Sequence, residues 1–217
     1  MGIKSLLRYR RSRDELTKHI SRFALVMGVA LAMFCAPSFF TLDTGTLLIW
    51  DLVGEGFFFG GMMAQAAMMW FLVMRPRFPA YFVTVPVGVV GLVAWLYALP
   101  YTKLVLANNF VYFLNPRLTT VVTAMLLIGL FGPVGAYFLR SAPRQTGFKA
   151  KFTSVAVGLT YLGIGLIGGG FEIVTSQMMT PTSATSFAVF FSVLLAAAIW
   201  PRRPGAKPSL QLPTASG

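Results

Sequence analysis

Apolar residues run in long unbroken blocks along this chain, separated by short polar or proline-bearing connections. The blocks fall at about 23–40, 47–74, 80–99, 119–139, 152–171 and 183–200. Neither the alternation of a half-buried strand nor the one-face stripe of a soluble helix describes them. Blocks of this kind suit the roughly 20 apolar residues that carry a helix across a bilayer. The pattern predicts an all-α fold, a polytopic bundle of about six transmembrane helices over 23–200. The second block has 28 residues, more than a span needs, so its helix tilts or begins in the interface. Pro76 and Pro79 stop it sharply, and Pro37 falls near the far end of the first block.

Three segments break the pattern. Residues 1–22 are rich in lysine and arginine, with a partial apolar stripe of Ile3, Leu6, Leu7, Leu16 and Ile20. They predict a basic amphipathic arm on the cytoplasmic membrane surface, retained rather than cleaved. Residues 100–118 hold an apolar run of only about ten residues between polar groups, which predicts an interfacial or re-entrant segment. Residues 201–217 show no periodicity and predict a disordered cytoplasmic tail.

Composition supports the bilayer reading. Of the 217 residues 56% are hydrophobic and only 11% charged, and the mean hydropathy is +0.73; a soluble domain is nearer 25% charged. The net charge of +12 would suggest nucleic acid in a soluble protein. Here the bases lie between apolar blocks, which is the signature of orientation in a membrane and excludes that partner. Seven of them are in the arm, two in 75–79, four in 140–151 and three in the tail, so sixteen of eighteen share one side of a six-span bundle. Only Lys103 and Arg117 fall on the other. The positive-inside rule then places both termini in the cytoplasm, facing anionic lipid head groups. A multi-pass protein of the cell membrane, of bacterial inner-membrane type, is the expected localisation.

Candidate chemistry is sparse. Asp51 and Glu55, four residues apart in the second block, share a helical face. Glu172 closes the glycine-rich end of the fifth, and contact between those two spans would gather the three carboxyls into an outer cation site. Gly56 and Gly60, and Gly165 and Gly169, have the small-xxx-small spacing that brings helices close. Gln65 is the strongly polar side chain deep in the second block, fit to line a path or to bond a neighbouring helix. The structural reading of the acids is that they mark helix ends, where a helix N-terminus favours them. Methionines 62, 63, 68, 69 and 74 offer thioethers to copper(I), but without a His or Cys partner they read as packing. The single histidine, His19, cannot supply a bis-histidine haem, and Cys35 alone makes no disulfide. No cofactor and no catalytic residue is therefore expected, and the chain reads as non-enzymatic.

The leading functional expectation is a channel or permease for a cation or small solute, acting as a homo-oligomer because the chain is slim for a monomeric transporter. The alternative is an accessory, sensor or scaffold subunit bound to another membrane protein; a lipid-modifying enzyme is weaker. The topology has a direct check. A phosphatase reporter fused after Gly217, active only when exported, is expected to be silent; activity there would refute an even number of spans.

Overall fold

The computed structural model describes residues 15–37, 40, 43–75, 78–107 and 110–169. Five α-helices run in the order α1 (Glu15–Cys35), α2 (Thr44–Met69), α3 (Tyr81–Ala98), α4 (Arg117–Ser141) and α5 (Phe148–Gly163). A π-helical turn extends α2 through Trp70–Met74 and another extends α5 through Ile164–Gly168. Strands β1 (Lys103–Ala107) and β2 (Phe110–Leu114) form an antiparallel hairpin between α3 and α4, with Lys103 opposite Leu114 and Ala107 opposite Phe110. Among the described residues four helical stretches are long and apolar enough to cross a membrane: Glu15–Phe34, Thr44–Met74, Tyr81–Ala98 and Arg117–Arg144. The expected sixth span at 183–200, the end of the fifth beyond 169, residues 1–14 of the arm and the tail lie outside the described residues.

Helix α2 opens at Asp43, whose carboxyl accepts the Thr46 backbone N–H at 2.7 Å. Thr46's hydroxyl and that N–H hold the Asp43 carboxyl below its ordinary range. This cap is present at neutral pH and is lost as the pH falls through the lowered value. From Thr44 to Met74 the helix rises about 46 Å, well beyond the roughly 30 Å of a hydrocarbon core.

Helix α1 differs from the first expected span at both ends. Within the described residues it is already helical at Glu15, ahead of 23, and Leu16, His19, Phe23, Met27 and Ala30 form one continuous buried stripe against the bundle. Residues 15–22 are thus the first turns of the span rather than a separate surface helix. It ends at Cys35 because the residue before Pro37 is disfavoured in helical conformation. The segment 100–118 also departs from an all-helical reading. An open two-stranded hairpin exposes backbone groups that hydrocarbon cannot satisfy, so this hairpin marks an end of the bundle outside the lipid core.

Helix α2 packs on α1, α3 and α4 together. On the α1 side, a Cβ at Gly54 would meet the Phe34 ring at 2.8 Å and one at Gly61 the Met27 Cε at 3.0 Å. On the α3 side, Gly91 takes the Phe59 side chain and Gly88 the Met63 sulfur. The expected pair Gly56 and Gly60 splits between the two neighbours: Gly56 abuts the Trp95 indole at 3.4 Å and Gly60 abuts Val26. Gly165 and Gly169 pack on α4, beside the Leu127 and Ala124 carbonyls. The closest backbone approach joins Gly135 of α4 to Gly158 of α5, each within about 3 Å of the other's carbonyl oxygen measured from an added Cβ.

That seam predicts a contrast. Gly135→Ala and Gly158→Ala should each destabilise the detergent-solubilised protein by about 1–3 kcal/mol, since backbone must shift to admit the methyl. Gly129→Ala, where nothing lies within 4 Å, should be neutral or stabilising through helix propensity. Thermal denaturation of the three variants compares them.

Candidate functional site

The residues proposed for chemistry collect around the first half of α2. Asp51 and Glu55 point into the protein, 3% and 6% exposed. Their spacing of one turn leaves their Cβ atoms about 6 Å apart. Neither serves the helix N-terminus. Asp43 does that, and the dipole's influence fades within the first turn, short of Asp51.

Three elements close on the pair. From just before α4, Asn115 Nδ2 donates to Glu55 Oε1 at 2.7 Å. Thr102, just after α3, donates its hydroxyl proton toward Asn115 Oδ1 and the Ala98 carbonyl, both 3.0 Å away. Trp95 of α3 donates its indole N–H to the Leu52 carbonyl at 2.8 Å. Thr119 of α4 reaches the Ala94 carbonyl at 3.2 Å. These bonds fix α2, α3 and α4 at one level, directly beneath the hairpin. Asp51 Oδ2 is buried and accepts no hydrogen bond. Burial of a lone carboxyl oxygen costs about 1–3 kcal/mol or more.

The depth of the pair follows from the same geometry. From Glu55 to Met74 the helix rises about 28 Å, close to the thickness of a hydrocarbon core. The hairpin caps one end of that stretch. Arg75 at the other end lies over the Phe71 ring, 5.0 Å from its centroid, beside His19 of α1. Glu55 and, one turn further from Arg75, Asp51 thus lie at the hairpin end of that stretch, both walled by protein.

Gln65 is fully buried about 15 Å further along α2. Its Nε2 donates to the Leu130 carbonyl of α4 at 3.4 Å, and its Oε1 accepts no bond. Leu130 directly follows Gly129, the carbonyl that Pro133 cannot bond for want of an N–H. Phe59 and Met62, both buried, lie between Glu55 and Gln65 on the inward face of α2.

Glu172 lies outside the described residues. Helices α2 and α5 meet through Met68 and Tyr161, whose hydroxyl is 4.0 Å from the Met68 sulfur. The π-helical end of α5 packs on α4 instead. Asn115 and Thr102, to which the sequence pattern gives no role, are the partners that it does not reveal. Asn115 stands 60 residues from Glu55, and only the Asn-Pro junction before a helix hinted that it had a fixed place. Among the described residues no three His, Cys, Asp or Glu side chains gather into a metal site.

Four apolar helices with a hydrogen-bonded polar cluster walled into one end define a membrane-embedded helical protein. No family model, curated protein or solved structure matches the chain.

The Glu55–Asn115 bond can be weighed by a double-mutant cycle with Glu55→Gln and Asn115→Leu. Thermal or denaturant unfolding in detergent should give a coupling of about 1–3 kcal/mol. A coupling near zero would mean that the contact holds nothing together.

Proposed function

We propose that the protein is an oligomeric channel or permease of a bacterial inner membrane, passing a cation or a small cationic solute, with Asp51 and Glu55 as its outer binding station. The observation that carries this reading is the buried Asp51 oxygen that accepts no hydrogen bond, one turn from a second buried carboxyl. Ionisable side chains inside a membrane bundle are expensive, and where they persist they mark ion or solute paths. The N-terminal dipole does not account for them, and a helix end alone would leave them exposed.

The donor set favours a loosely held monovalent cation or a proton. Two carboxyls with the nearby Asn115 and Thr102 oxygens fall short of the six to eight ligands that calcium takes. Gln65 is a second polar station halfway across, and Phe59 and Met62 between the two describe a closed path. Opening it needs a shift of α2 against its neighbours. Tyr81, Phe82, Val85, Val89 and Val93 leave an apolar face of α3 exposed, available to lipid or to another copy of the chain. The basic end that carries Arg75, Arg140 and Arg144 faces the cytoplasm in this reading.

Flux in liposomes tests it. Wild-type protein should pass sodium, potassium or protons, and Asp51→Asn and Glu55→Gln should each lower the rate at least about tenfold, as the loss of one charge–charge contact requires. Lys103→Gln, at the exposed foot of the hairpin, should leave it unchanged. Equal flux in all variants, together with a stoichiometric protein partner retained in mild detergent, would replace the channel by the accessory-subunit reading.

A further inference from the structure

At the opposite end of the bundle a second feature stands apart from the carboxyl pair. A cavity of about 340 Å³ is lined by Val73 at the end of α2, by Pro133, Ala136, Tyr137 and Arg140 along α4, and by Arg144 in the turn that follows. The α4 residues recur every three to four positions, so they form one stripe running off the C-terminal end of the helix. The stripe changes character along its length. Pro133, Ala136 and Val73 give an apolar floor, Tyr137 carries a hydroxyl, and the two guanidinium groups stand at the rim. Arg140 and Arg144 are exposed, and neither has an ion-pair or side-chain hydrogen-bond partner among the described residues. Two other bases at this end are engaged: Lys18 pairs with Glu15 at 3.1 Å, and Arg75 lies over Phe71.

We propose that this cavity holds one anionic glycerophospholipid of the phosphatidylglycerol type, its phosphate between Arg140 and Arg144 and the first part of an acyl chain along Val73, Pro133 and Ala136. Charge complementarity selects the occupant. Two unpartnered guanidinium groups suit the paired oxygens of a phosphate, which planar donors bind through two parallel bonds. A free phosphate would leave the apolar floor uncovered, and an uncharged lipid would leave both arginines unanswered. The position agrees. Arg140 and Arg144 lie in the last turns of the stretch Arg117–Arg144, where a span would reach the head groups, and a basic pocket between membrane helices on the cytoplasmic side is suited to anionic lipid. The volume lies at the lower end of the range for ligand sites, room for a head group and part of one chain.

The full chain in mild detergent is titrated with phosphatidylglycerol, with phosphatidylcholine and with inorganic phosphate, and the rise in melting midpoint is followed. Phosphatidylglycerol should raise the midpoint of the wild type with saturation. In Arg140→Gln/Arg144→Gln the lipid concentration for half the effect should increase at least about tenfold, the loss of two charge-assisted contacts. Ala136→Trp, which fills the floor and keeps both arginines, should weaken the lipid effect as well. Lys149→Gln/Lys151→Gln removes the same charge from exposed positions at the same end and should match the wild type. An equal effect from phosphatidylcholine or from inorganic phosphate would overturn the proposal. So would an equal loss in the lysine pair, which would reduce the site to diffuse surface charge.

Discussion

Close approach of helix backbones is the constraint on which the rest of this protein depends. In lipid there is no hydrophobic gain from hiding one apolar helix behind another, so association rests on packing contact and on bonds between helices. Helix α2 meets three neighbours, and it does so by presenting glycine toward α1 and α3 at different turns. Gly54 and Gly61 admit the Phe34 and Met27 side chains, while Phe59 and Met63 of α2 press into Gly91 and Gly88 of α3. The knobs and hollows are exchanged between partners, which fixes the register of all three helices. Once that register is set, Asp51, Glu55 and Gln65 have no choice but to face inward.

Inward polar groups then need answers, and the answers explain the polar residues elsewhere. Asn115 is held by Thr102 and turned to Glu55. Gln65 finds the carbonyl beside the one that Pro133 leaves without its helical partner. A proline in a membrane helix thus creates an acceptor-rich spot, and a long amide on the neighbouring helix meets it. Asp51 Oδ2 and Gln65 Oε1, two of the buried oxygens that accept no hydrogen bond, lie on the same face of the same helix. Their placement, more than the mere presence of acids, is what the proposed path rests on.

What the sequence made legible follows the range of the interactions involved. The bounds of α2, α3 and α4 could be read because block length, proline and capping are local properties of the chain. The start of α1 was misjudged because Lys18 and Arg22 look interfacial, although long basic side chains can reach outward while Leu16 and Phe23 pack. The hairpin was hidden for a related reason. Lys103-Leu-Val-Leu-Ala107 and Phe110-Val-Tyr-Phe-Leu114 flank an Asn-Asn pair, a hairpin signal that its hydrophobicity disguised as membrane-seeking. The Gly135–Gly158 seam is marked on one side only: Ser154 and Gly158 of α5 have the small-xxx-small spacing, whereas Gly135 of α4 has Phe131 and Leu139 four residues away. The pairing of Glu55 with Asn115 depends on three helices meeting at one level and has no local signature at all.

The two ends of the bundle differ in a way that ties these strands together. Asp43, Asp51 and Glu55 stand at the hairpin end with Lys103 and Arg117, while Lys18, Arg22, Arg75, Arg140 and Arg144 gather at the other, about 28 Å or more away along α2. An acidic mouth lowers the energy of an arriving cation, and a basic end raises the cost of its remaining there. A helix that carries acids at one end, an amide in the middle and arginine at the other therefore imposes a gradient on any cation within the bundle. Anionic lipid at Arg140 and Arg144 would soften that gradient at the basic end. If the proposed path and the proposed lipid both hold, the lipid's charge and the carboxyls' charge act on the same cation from opposite ends of α2, a helix that both ends hold in register.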